Sequence, residues 1–180
     1  MARTIPILSA VLALSLGACA TNITTPPAAT TAPVYELPHV KRPNLVVADL
    51  DRSLKIYRDT LRLTASEPSV SGANSFSYPV FKIPRGTPMR SLTLSEPGEE
   101  RVLALTEVDL PDLPRPSNAP HMSAVVIGIS DLAEAFEKLE ALGLETTETR
   151  IAEGADFRFI EQAFVDYDGH LIVCYEILSN

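Results

Sequence analysis

His39 and His121 stand at equivalent distances, ten residues, ahead of two Asp-Leu pairs, Asp49-Leu50 and Asp131-Leu132. Two imidazoles brought together could take a divalent cation, since neutral histidine nitrogen suits borderline metals. Other chemistry-bearing side chains read more plainly. Glu107 and Glu176 close two apolar runs and are expected as solvated strand ends. His170 follows Asp168-Gly169 in a turn and is expected to point to solvent. Cys174 sits among Ile172, Val173 and Tyr175 and reads as a small buried hydrophobe rather than a nucleophile.

The elements that must position these groups occur twice. Asn44 to Leu63 reads NLVVADLDRSLKIYRDTLRL, and Val126 to Leu144 reads VIGISDLAEAFEKLEALGL. In each copy an apolar strand runs into Asp-Leu, which opens an amphipathic helix; duplication of a strand-helix unit indicates two like modules. In the first helix Leu50, Leu54, Tyr57 and Leu61 form one stripe, with Arg52, Lys55, Arg58 and Arg62 on a solvated face. Leu132, Phe136, Leu139 and Leu142 repeat the stripe, with Glu134, Glu137 and Glu140 off it. Strands are expected over about Leu63 to Val70, Met89 to Glu96 and Arg101 to Val108, then over Leu144 to Ile151, Phe157 to Asp166 and His170 to Leu178. A Gly-, Ser- and Pro-containing excursion interrupts the first set. Asp166-Tyr167-Asp168-Gly169 is a turn signature.

Composition bounds what the chain does. With 180 residues and 46% hydrophobic content it can bury a core. A net charge of -8, with scattered Lys and Arg, argues against a nucleic-acid partner, because phosphate binding needs clustered cations. Arg3, the apolar stretch Ile5 to Leu16 and then Leu16-Gly17-Ala18-Cys19 read as a signal peptide ending in a sequence that resembles a bacterial lipobox. Cys19 would be the lipidated residue, anchoring the chain to a membrane of the cell envelope. Ala20, in place of Asp, resembles lipoproteins sorted to the outer membrane, facing the periplasm of a Gram-negative cell. Residues 20–36 are rich in Thr, Pro and Ala and read as a flexible tether. The globular part is expected over 37–178, as module one (37–109), a Pro-rich linker (110–120) and module two (121–178).

A strand, a helix and three strands, given twice, resembles the vicinal oxygen chelate superfamily, which includes glyoxalase I, bleomycin-resistance proteins and extradiol dioxygenases. The resemblance rests on VVADLDRSLKIYRDTLRL, ISDLAEAFEKLEALGL and FVDYDGHLIVCYE. It implies an α+β fold of two βαβββ modules forming a cupped mixed sheet with helices outside. It also implies modules that close on each other within one chain or pair with a second chain as a homodimer. One local departure is Arg62, where the family has a helix-ending Gly that module two keeps as Gly143.

The family's chemistry uses a divalent metal held from the first and last strand of each module. Counted from the Asp-Leu anchors, the first-strand positions here are Arg42 and Ala124, and aligning Leu103 to Glu107 with Ile172 to Glu176 puts the closing-strand positions at Ala104 and Val173. A permanent cation, two methyls and an isopropyl cannot ligate a metal, so the expectation is no metal cofactor. Ligands displaced upstream to His39 and His121 are the alternative, but a slip of three residues moves a side chain about 10 Å and to the other face of a sheet. A metal-free cavity for a small molecule, as in bleomycin-resistance members, is the resulting expectation. Arg42 would meet an anion there, in line with Asn44, and Tyr57, Arg158 and Tyr175 could line the same space. Arg42 could instead pair with a carboxylate at the strand's mouth. A glyoxalase- or dioxygenase-like enzyme with displaced ligands is the competing reading, and no catalytic residue is assigned.

Overall fold

In the computed structural model, which describes residues 40–111, 113, 120–153 and 157–178, both Asp-Leu pairs open helices. Asp49 and Asp131 are the N-caps. Their Oδ1 atoms accept hydrogen bonds from the backbone N–H of Arg52 (3.0 Å) and Glu134 (2.9 Å), which satisfies donors that a helix start leaves unpaired. The expected signal segment and tether, with Cys19, and also His39 and most of the expected linker lie outside the described residues. No helix among the described residues is long and apolar enough to cross a membrane.

Module one runs β1 (Asn44–Val47), α1 (Leu50–Leu54), β2 (Thr64–Ala65), β3 (Ser69–Val70), α2 (Ser77–Val80), β4 (Met89–Glu96) and β5 (Glu99–Val108). Helix α1 continues through Lys55–Thr60 as a wider π-helical turn. Module two runs β6 (Val125–Gly128), α3 (Leu132–Ala141), β7 (Glu145–Thr146), β8 (Arg150–Glu153), β9 (Arg158–Val165) and β10 (Leu171–Leu178). Each module makes one five-stranded mixed sheet, ordered β1-β5-β4-β2 and β6-β10-β9-β7, with β3 on β4 and β8 on β9. The first strand of each lies parallel to the last, because a helix carries the chain back before the hairpin strands. Each predicted strand after a helix splits into two very short ones. Two sheets, rather than one continuous one, carry the duplication.

Alternation along the strands sorts side chains between a helix-covered face and an opposite, open face. Leu45, Val47, Leu105, Ile172 and Cys174 point to the helices and are buried. They join Leu50, Tyr57, Leu132, Phe136 and Phe164 in a single core spanning both modules. Within it Phe136 and Phe164 meet edge to face, with centroids 6.1 Å apart. The excursion after β3 is no loose loop. It folds over the open face of sheet one and makes a second small core from Tyr78, Ile83, Met89 and Val108.

The helix ends differ in residue but not in backbone. Arg62 takes φ 64° and Gly143 φ 78°, so both occupy the left-handed region. For a residue with a Cβ this costs roughly 1–2 kcal/mol. Arg62 is compensated in part by a 2.7 Å ion pair with Glu134 of module two.

Candidate functional site

The open face near the start of β1 is where the fold places the expected site. The register sets Asn44 beside Ala104 and Val126 beside Val173. Pro43 O accepts from Ala104 N–H at 3.1 Å, so the ladder extends one residue upstream toward Arg42. A cavity of about 410 Å³ lies here, with Arg42, Val126, Gly128 and Tyr175 among its walls. Arg42 and Tyr175 are thus brought together from different modules. The Tyr175 ring lies against Gly128 so closely that an added Cβ would sit 3.1 Å from the ring. It also meets Phe159 edge to face at 6.5 Å, and Phe159 lies tilted against Phe157 at 5.9 Å. Val126 is 63% exposed on the same face. No hydrogen bond or ion pair joins the Arg42 side chain to another described residue, so the strand-mouth salt bridge is not made. Its neighbour Lys41 donates to Glu100 O at 2.8 Å.

Asn44 shares this face but is engaged, its Oδ1 accepting from Thr106 Oγ1 at 3.0 Å. Two other expected lining residues are elsewhere. Tyr57 is fully buried on the helix side of the sheets, because its place in the apolar stripe outweighs its hydroxyl. Arg158 pairs in register with Leu178, on the face opposite Tyr175, and lies 3.8 Å from Glu153. The parity of β9 and β10 puts Arg158 outside the cavity.

The metal of the related proteins does not fit these residues. Ala104 and Val173 lie on the open face, in register with Asn44 and Val126, and Ala124 lies just before β6. Among the described residues no three His, Cys, Asp or Glu side chains converge. His121 is exposed and lines a separate pocket with Asn44 and Ala124.

The acidic and histidine residues prove structural, against the sequence expectation for three of them. Glu107 and Glu176 are not solvated ends. Glu107 Oε2 accepts from Leu50 N–H (2.7 Å) and Glu176 Oε2 from Leu132 N–H (2.8 Å), so each caps its module's helix. Arg90 also clamps Glu107, with Nε 2.6 Å from Oε1. His170 does not point to solvent: its Nε2 lies 2.9 Å from Val46 O, which makes Nε2–H the donor. Nor is Arg52 solely solvated. It pairs with Asp168 at 3.1 Å and lies over the Tyr167 ring, 4.7 Å from its centroid. Cys174 is buried, as expected, and burial pushes its thiol up to about 12.

The Asp166–His170 turn is therefore a plug of module two inserted against β1 and α1. Asp166 Oδ1 accepts from the N–H groups of Asp168 (3.0 Å) and His170 (2.8 Å), and its Oδ2 from the Tyr57 hydroxyl. Asp168 Oδ1 accepts from Ala48 N–H at 3.1 Å. The turn signature was legible in sequence, but its partners were not.

This architecture, two like mixed sheets with few helices, is that of a known superfamily. The chain belongs to the glyoxalase/bleomycin resistance protein/dioxygenase superfamily, whose model matches residues 36–174. Among solved structures it is similar to a glyoxalase family protein from Bacillus cereus, at 16% identity and TM-score 0.62, covering 81% of this chain and 97% of that one. A glyoxylase/bleomycin resistance protein/dioxygenase domain from Frankia sp. EAN1pec is 19% identical, with TM-score 0.54 and coverage of 81% and 100%. A fosfomycin resistance protein from Listeria monocytogenes, complexed with Mn(II) and sulfate, is 14% identical, with TM-score 0.51 and coverage of 78% and 93%. No curated protein matches the chain.

Proposed function

We propose that this protein binds a small molecule without a metal, in the cavity between Arg42 and Tyr175, and is held at the cell envelope by lipid on Cys19. The observation that carries the binding reading is the residue set at the positions where the superfamily resemblance calls for ligands: Arg42, Ala104, Ala124 and Val173. Of these Arg42 lines the cavity, together with Tyr175, Val126 and Leu103 and the charged Lys41, Glu96 and Glu99. A guanidinium with no partner among the described residues suits a ligand with an anionic head, because a carboxylate or phosphate can take two guanidinium N–H donors at once, and Tyr175 and Val126 offer contact to an apolar body. The lipobox-like Leu16-Gly17-Ala18-Cys19 supports the anchor.

Calorimetric titration of the full-length chain with small carboxylates and inorganic phosphate tests the binding. Saturable binding weakened at least ten-fold by Arg42→Ala is expected. Elemental analysis after incubation with Mn, Fe, Ni and Zn tests the reading with displaced metal ligands, and no bound metal is expected. Stoichiometric metal, lost in His39→Ala or His121→Ala, would replace a binding protein by a glyoxalase- or dioxygenase-like enzyme with displaced ligands. Metabolic labelling with a fatty acid, lost in Cys19→Ala, is the expected result for the anchor.

A further inference from the structure

The Arg42 cavity carries charge of both signs. Besides Arg42 and Lys41 its walls hold Glu96 and Glu99, the last residue of β4 and the first of β5. Pro97-Gly98 joins these strands, and the register sets Glu96 directly opposite Glu99. Like charges opposite each other across a ladder repel, because their Cβ atoms lie roughly 5 Å apart. Neither carboxylate makes a hydrogen bond or an ion pair with another described residue, and half-buried Arg42 makes none either. Lys41 is engaged, its Nζ donating to Glu100 O. The cavity therefore presents a guanidinium and a carboxylate pair that share its walls without neutralising each other.

Resting on the reading that this cavity binds an anion, we infer that its ligand is a zwitterion, an α-amino acid with an apolar side chain. The carboxylate takes the Arg42 guanidinium, the ammonium sits by Glu96 and Glu99, and the side chain lies against Tyr175 and Val126. An ammonium has three N–H donors, so one group can serve both carboxylates and relieve the repulsion between them. A ligand with a carboxylate alone adds to that repulsion, and an amine alone forgoes the guanidinium. With two cations and two anions in the lining, a ligand of no net charge complements the whole cavity. Glu96 and Glu99 are exposed, so water screens them and the discrimination they give is several-fold.

Titration of the full-length protein with phenylalanine, 3-phenylpropanoate and phenethylamine, which share one ring and differ in charge, tests the assignment. Phenylalanine is expected to bind at least about five-fold tighter than either analogue, at concentrations up to about 10 mM, the range suited to ligands so small. Glu96→Gln combined with Glu99→Gln should erase that preference. Phenylalanine then weakens at least about five-fold, while 3-phenylpropanoate binds as tightly as before or tighter, with a melting temperature unchanged or raised. Arg42→Ala should weaken both carboxylates. If 3-phenylpropanoate binds through Arg42 and phenylalanine binds no tighter, the zwitterion assignment fails and the anion reading stands. A phenylalanine preference that survives the double Gln variant also overturns the assignment. Binding of neither carboxylate, or binding indifferent to Arg42→Ala, overturns both.

Discussion

The Tyr57 hydroxyl donates a 2.7 Å hydrogen bond to Asp166 Oδ2, joining the helix of module one to the turn of module two inside the protein. Tyr57→Phe leaves that carboxylate oxygen without its donor in a buried place. A loss of about 1–3 kcal/mol in unfolding free energy is expected, read by urea titration at neutral pH.

The same bond makes alkaline stability predictable. Burial first, and the charge of Asp166 second, hold the Tyr57 phenol well above its usual range. A raised folded value means the phenol favours its protonated form in the native state. Its stabilisation is complete below the ordinary tyrosine value near 10 and is lost as pH climbs above that. Cys174, pushed up to about 12 by burial, adds to the loss with the same sign. Stability should fall from about pH 9, where the unfolded thiol begins to ionise, and further above about pH 10, and the fall above pH 10 should be shallower in Tyr57→Phe. A fall of equal steepness in that variant would show that other groups dominate.

Cys174 should be inert in the native protein, because the nucleophile is the thiolate and this thiol is buried with a raised pKa. Reaction with a thiol-specific disulfide reagent is expected only as fast as the protein unfolds. Rapid labelling in native buffer would contradict the burial.

Glu107 and Glu176 serve the two helices alike, and their removal should be additive because each acts within its own module. Glu176→Ala is expected to cost about 1 kcal/mol, the usual value of a lost helix-start acceptor. Glu107→Ala should cost somewhat more, about 1–2 kcal/mol, since Arg90 also loses the closer of its two partners and keeps only Asp51. Thermal melts of the single and double variants provide the check.

Arg62 and Gly143 test the helix ends in opposite directions. Gly143→Ala should destabilise by about 1 kcal/mol, because a Cβ is forced into a left-handed turn. Arg62→Gly relieves that strain but gives up a largely exposed ion pair to Glu134 and adds freedom to the unfolded chain. A change within about 0.5 kcal/mol is expected, with Arg62→Ala the less stable of the two.

Sequence alone determined the module plan and the faces. Period 3.6 in the helices and period 2 in the strands express which side chains must leave water, so the Asp49 and Asp131 caps, the repeated strands and the buried Cys174 were all legible. Aligning the two closing strands, as the resemblance implies, singled out Ala104 and Val173, which the register places beside Asn44 and Val126. Tertiary structure alone decided which faces meet. It sent Arg158 to the far side of its sheet, buried Tyr57 against Asp166, folded the excursion over sheet one, and turned Glu107, Glu176 and His170 inward as hydrogen-bond partners. For Tyr57, Glu107, Glu176 and His170 a group from a distant part of the chain supplies the donor or acceptor that water would otherwise provide, and no local pattern carries that information.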